Sequence, residues 1–227
     1  MKLQKETSPH GKWYDDACGS AFAMELVGER WSLLIIRELM FGARRFSDLR
    51  AGLPGISAKV LTERLGSLEQ AGVLSRRDLP PPGKARVYEL TDWGLAAEPI
   101  LQETGRWATM SSMHRPTLPL SPASLMMSMR TMCDYARIGE IEGKIGLVVG
   151  EDVFVAEPGE GTLPIARTAE PTGDAIFHAP NATIIAGLLY AKIPAEQLER
   201  EAGLRVEGDR QLALRYAALF ALPEKIA

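Results

Sequence analysis

A chain of 227 residues, 46% of them hydrophobic, is long enough for one large or two small packed units. Nowhere does it hold the roughly 20 consecutive apolar residues of a membrane-spanning helix, and its opening MKLQKETSPHGKWYDD lacks the apolar stretch of a signal peptide, so a soluble cytoplasmic protein with no membrane contact is expected. The net charge of −3 is unevenly split: residues 1–115 carry 16 basic against 14 acidic side chains, residues 116–227 carry 10 against 15, so any phosphate-binding surface belongs to the first half.

In chain order, residues 18–27 form a short, mostly apolar helix candidate. Residues 31–41 (WSLLIIRELMF) are apolar nearly all round apart from Arg37 and Glu38, as a central buried helix would be, with Gly42 as its C-terminal cap. A short helix over 46–51 starts near Ser47, and Leu53-Pro54-Gly55-Ile56 makes a turn. Ser57 caps the next helix, which runs to Gln70 with Leu61, Leu65 and Leu68 on one face and Gly72 at its end. Strands over 73–78 and 85–90 flank a proline-rich connection that ends in Lys84. Thr91 opens a long helix to about Met113, kinked at Pro99.

The segment HRPTLPLSPA (114–123), with three prolines in ten residues, stops helix propagation and suits an extended connector. The expected division is therefore 1–115, a connector at 116–123, and 124–227. The second part reads as α+β: a helix over 124–135, strands over 144–149, 153–156, 163–168 and 175–179, an apolar helix over 182–192 and another starting at Pro194. A last strand over 204–207 and a helix from Asp209 through Leu222 close it.

Short helix, glycine turn, second helix and β-hairpin is the order of a winged helix-turn-helix. The second helix of that motif enters the major groove of B-DNA, which is wide enough for one helix. With Leu61, Leu65 and Leu68 inward, a rotation of about 100° per residue places Lys59, Thr62, Glu63, Gly66 and Gln70 outward. Candidate DNA-contacting residues are Arg44, Arg45 and Arg50 around the first helix, Ser57, Lys59, Thr62, Glu63 and Arg64 on the second, and Lys84 and Arg86 at the hairpin.

The runs Trp31-Ser32-Leu33-Leu34-Ile35-Ile36, Arg45-Phe46-Ser47-Asp48-Leu49, Pro54-Gly55-Ile56-Ser57, Leu61-Thr62-Glu63-Arg64-Leu65, Leu68-Glu69-Gln70-Ala71-Gly72-Val73-Leu74 and Tyr88-Glu89-Leu90-Thr91-Asp92-Trp93-Gly94 resemble the HxlR family of bacterial transcriptional regulators. The resemblance covers about residues 15–105. It implies a homodimer, assembled through the terminal helices, that binds palindromic double-stranded operator DNA. Repression is the default expectation, since activation requires a polymerase contact that leaves no readable mark in a sequence. One departure stands out. The family usually places a long polar residue where this chain has Gly66, which removes one possible contact and lowers helix propensity by about 1 kcal/mol relative to alanine.

Many members of that family carry a cysteine near the first helix, and in some it is a redox switch; Cys18 matches that position. Its neighbours Asp15, Asp16, Ala17, Ala21 and Phe22 disfavour a thiolate, so a buried structural cysteine is expected, with thiol-redox sensing as the alternative. Residues 124–222 resemble the sterol-carrier-protein-like fold in their apolar periodicity, which implies a cavity for a hydrophobic small molecule or lipid. Candidate lining residues are Met126, Met129, Phe154, Phe177, Ile185, Leu188, Leu189 and Phe220.

The leading expectation is thus a ligand-modulated DNA-binding regulator; a lipid carrier with an N-terminal dimerisation module is the rival. No enzyme, cofactor or metal site is expected: His10, His114 and His178 stand without acidic or nucleophilic neighbours at a recognisable spacing, and Cys18 and Cys133 lack CxxC or Cys/His clustering.

Overall fold

The computed structural model describes residues 14–79, 85–159 and 161–226. The first half runs α1 (Gly19–Val27), α2 (Ser32–Leu39), β1 (Arg44–Arg45), α3 (Phe46–Gly52), α4 (Ala58–Gln70), β2 (Leu74–Asp78), β3 (Arg86–Leu90), α5 (Asp92–Leu95) and α6 (Glu98–Thr109). The expected helix-turn-helix and hairpin are present. Ser57 caps α4 by accepting the Val60 N–H at 3.2 Å, and Thr91 caps α5 by accepting the Gly94 N–H at 3.1 Å. Gly55, at φ +90°, supplies the left-handed residue that the turn between α3 and α4 needs.

Three local expectations are corrected. The hairpin gains a third strand, β1, which pairs with β3 through Arg44↔Tyr88 and Arg45↔Val87; two residues are too few to show alternation in a sequence. The helix expected over 91–113 is two helices. Pro99 does not kink a long helix but sits in the first turn of α6, where its missing N–H has no intrahelical acceptor to lose. Trp31 lies outside α2, in the left-handed region at φ 84°.

The second half runs α7 (Pro122–Met132), β4 (Ile145–Val149), β5 (Asp152–Ala156), β6 (Ile165–Arg167), β7 (Ala175–Ala179), α8 (Ala182–Leu189), α9 (Ala195–Glu201), β8 (Arg205–Gly208) and α10 (Arg210–Ala217). Its five strands are ordered β6-β5-β4-β7-β8, with β4 and β7 parallel and the other pairs antiparallel. Ser121 caps α7 by accepting the Ser124 N–H at 3.0 Å, so the helix starts inside the expected connector and ends earlier, at Met132. Pro194 caps α9 from outside rather than occupying its first turn. The closing helix stops at Ala217, since Phe220 leaves it to bridge Cys133.

One continuous apolar core joins the two halves. The helix α7 packs on α2 and α6, and Phe41 meets Phe154 edge-on at 5.9 Å. Charged groups cross the same seam. Glu38, only 4% exposed, accepts from Arg37 at 2.8 Å and from the Ser121 hydroxyl at 2.6 Å. Arg44 reaches Asp152 at 2.8 Å, and Asp152 also holds Arg167. Arg130 grips both oxygens of Glu98 at 2.9 Å and lies over the Phe41 ring. Buried charges of this kind are tolerated only when paired and hydrogen-bonded.

Candidate DNA interface

The helix α4 buries Leu61, Leu65 and Leu68 and turns its other face to solvent. Lys59, Thr62, Glu63, Gly66 and Gln70 are all exposed, as the helical rotation required. The Lys59 side chain is 86% exposed and meets Glu63 only at 3.9 Å, an i,i+4 pair weak enough to yield to a phosphate. Thr62 donates its hydroxyl to the Ala58 carbonyl at 2.9 Å, which leaves its methyl as the outward group. A Cβ at Gly66 would meet nothing within 4 Å, so the groove-facing side of α4 has an open notch there.

The remaining candidates separate by environment. Arg45 and Arg50 are exposed at the start and end of α3, with no side-chain partner among the described residues. The Arg45 N–H is satisfied by the Asp48 carboxylate at 3.3 Å, which fixes the start of α3. Arg86 is exposed but paired with Asp78 at 3.1 Å, and this contact raises the basicity of its guanidinium. Lys84 lies outside the described residues.

Two candidates are withdrawn. Arg44 is directed into the seam, where Asp152 offers it a bidentate carboxylate in a half-buried place. Arg64, with 17% of its side chain exposed, is folded back onto Glu29 at 3.1 Å and braces the loop before α2. Ser57 acts on its own helix as the cap. Sequence reasoning missed Arg76 and Arg77 on β2, whose side chains are half exposed and paired with Glu69 and Glu89; the adjacent arginines in a hairpin strand were the available signal.

Elsewhere the structure redistributes the other expectations. Met126, Met129, Phe154, Phe177, Ile185, Leu188, Leu189 and Phe220 are all packed in the core, none more than 6% exposed, and a cavity of about 500 Å³ in this half is lined by none of them. Periodicity marks inward-facing residues, and inward here means filled. Cys18 is not buried. It is exposed at the start of α1, where the Ser20 hydroxyl at 3.0 Å and the backbone N–H groups of Ser20 and Ala21 lower its thiol below the ordinary range. Cys133 is the buried thiol, pushed up to about 12 by desolvation and then by Asp134. His178 meets Glu207 at 3.1 Å, and His10 is outside the described residues. Among the described residues no group of three or more His, Cys, Asp or Glu could hold a metal, and no helix is long and apolar enough to cross a membrane.

Comparison with known proteins gives this geometry its context. Residues 26–116 match the HxlR-like helix-turn-helix family. The HTH-type transcriptional regulator YvaP of Bacillus subtilis is 46% identical over 88 residues, a match covering 38% of this chain and 81% of that protein. The chain belongs to the HxlR-like family. YodB, another HTH-type regulator of Bacillus subtilis, is 42% identical over 86 residues, covering 38% of this chain and 77% of YodB. Among solved structures, the reduced form of YodB is 37% identical and covers 43% of this chain and 97% of that one, with a TM-score of 0.39. This HxlR-like protein is a DNA-binding transcriptional regulator, not an enzyme.

Proposed function

We propose that this cytoplasmic protein represses transcription as a homodimer on palindromic operator DNA, with its C-terminal half modulating binding when a hydrophobic small molecule occupies it. The observation that carries the DNA mode is the outward face of α4, where Lys59, Thr62, Glu63 and Gln70 stand exposed. Arg45, Arg50 and Lys59 contact phosphate; Thr62, Glu63 and Gln70 read base edges. Arg76, Arg77 and Arg86 extend the basic surface along the hairpin.

The dimer is supported by the apolar groove between α1 and α6. Leu26, Val27 and Ala97 line this cavity of about 240 Å³, and Trp93 and Ile100 beside it are 52% and 42% exposed. A second copy presenting the same surface would cover these apolar side chains by two-fold symmetry. The C-terminal half is assigned a sterol-carrier-protein-like character on its α+β composition and apolar helices, which support a small-molecule role without naming the molecule.

A gel-shift against DNA upstream of the chain's own gene tests the proposal. Salt-sensitive, sequence-selective binding by a dimer is expected, and Arg45→Ala and Lys59→Ala weaken it; a monomer, or binding indifferent to both substitutions, overturns it. The exposed, acidified Cys18 supports a second mode, thiol-based sensing at α1. In that case Cys18→Ser abolishes the response of operator binding to a thiol oxidant.

A further inference from the structure

The connector does not run free through solvent. Residues 114–120 form one wall of the cavity of about 500 Å³, and α7, α8, the segment after α8, Thr109 and Leu222 form the rest. That volume lies within the range of about 300–1,000 Å³ typical of small-molecule sites. Pro116, Leu118, Leu120, Ala186, Ile193 and Leu222 make most of the lining apolar. At one side the Ser128 hydroxyl and the Tyr190 phenol are joined at 2.7 Å. Burial raises the Tyr190 phenol, so this pair stays neutral.

The charged groups are one-sided. Among the described residues no acidic side chain lines the cavity, while His114 and Arg115, neighbours in the chain, both do. Arg115 is exposed and has no side-chain partner among the described residues. The Lys225 ammonium, donating to the carbonyls of Thr109 at 2.6 Å and Ser111 at 3.1 Å, stands 3.5 Å from His114 Nδ1. Burial, and then Lys225, lower the His114 pKa, so its imidazole is neutral near pH 7 and Nδ1 accepts from the ammonium. An apolar chamber with one unmatched cation, Arg115, at its edge is complementary to a molecule with an apolar body and an anionic head.

We propose that this cavity binds a small organic acid, an apolar body carrying one carboxylate, with the body against Leu118, Leu120 and Ile193 and the carboxylate at Arg115. This rests on the ligand-responsive regulator proposed above and supplies its site and the charge of its ligand. It also moves that site: the ligand sits outside the sheet-and-helix core, against the connector that leads from the DNA-binding half. A bound acid ties 114–120 to α8, so occupancy is felt by the segment through which the halves are joined.

Calorimetric titration of the full-length protein with decanoate and with decan-1-ol tests the site. Decanoate is expected to bind at least about ten-fold more tightly than the alcohol, as a charge-assisted hydrogen bond implies. Arg115→Gln removes that preference, and Ala191→Trp, filling the cavity from an exposed lining position, weakens both probes at unchanged melting temperature. No decanoate binding, equal binding of the alcohol, or decanoate binding indifferent to Ala191→Trp overturns the site. The titration contains no DNA, so a protein that binds decanoate but no operator refutes the regulator proposal and leaves the site standing. A gel-shift unchanged by saturating decanoate overturns its regulatory link.

Discussion

Arg44 and Arg45 are consecutive residues of β1 that end in opposite surroundings. Arg44 turns inward across the seam to Asp152 and is 19% exposed, while Arg45 faces solvent at the start of α3 without a side-chain partner. The contrast extends to the regions around them. On the outward face of α4 Lys59 is exposed and only loosely held by Glu63; in the seam Arg44, Arg130 and Arg167 are each gripped by carboxylates, and Arg130 and Arg167 also lie over the Phe41 and Phe154 rings. The same side chain therefore stays free on the surface or becomes a structural rivet according to whether the fold offers it a carboxylate away from water. A surface cation can exchange a weak partner for a phosphate at little cost; a desolvated one cannot leave its partner.

Breaking the seam is expected to have the largest effect. Asp152→Ala strands two guanidinium groups in a half-buried site and lowers stability by about 3 kcal/mol, read from the urea midpoint. A loss near the ±0.5 kcal/mol of ordinary surface substitutions would put the seam in the same class as the α4 surface. Next comes the pair within β1. Arg45→Ala weakens operator binding and reduces the slope of log affinity against log salt by about 1.8, the effect of one lost phosphate contact in each protomer of the dimer, with stability within about 0.5 kcal/mol. Arg44→Ala reverses the pattern, costing stability, with a salt slope equal to that of the unmodified protein.

Gly66→Ala is a smaller test of the exposed region. With open space around the new methyl, it raises stability by about 1 kcal/mol through helix propensity alone. A decrease would mean that the notch on α4 is closed in solution. The two thiols give a test with no cost in stability. Iodoacetamide is expected to label Cys18 in the native protein, with a rate that rises with pH earlier than for an ordinary thiol because its pKa is lowered, whereas Cys133, near 12 and buried, reacts only on unfolding. Mass spectrometry of labelled peptides reads both sites.

In the DNA-binding half α4 and the start of α5 were legible because each carries local signals, the leucine spacing of α4, the caps at Ser57 and Thr91 and the turn glycine at Gly55, whereas the break between α5 and α6 was read as one kinked helix. The outward face of α4 followed from rotation alone. What escaped was decided at long range. Nothing near Arg44 in the chain indicates that its carboxylate lies 108 residues away, and a two-residue strand such as β1 is visible only beside its partner. The candidate ligand residues failed for a related reason: an apolar period reports which side chains face inward, not whether the space they face is occupied. The cavity is instead walled by the proline-rich segment, which local patterning presents only as an interruption.

The burial of Phe41 against Phe154 bears on how this protein can be dissected. A fragment ending at residue 116 keeps every residue of the family match, yet bares the Phe41 ring to water and leaves Glu38, Arg44 and Glu98 without Ser121, Asp152 and Arg130. Truncation experiments would therefore confuse a damaged fold with a missing sensor. Point substitutions in the cavity wall are the cleaner way to separate DNA reading from ligand response.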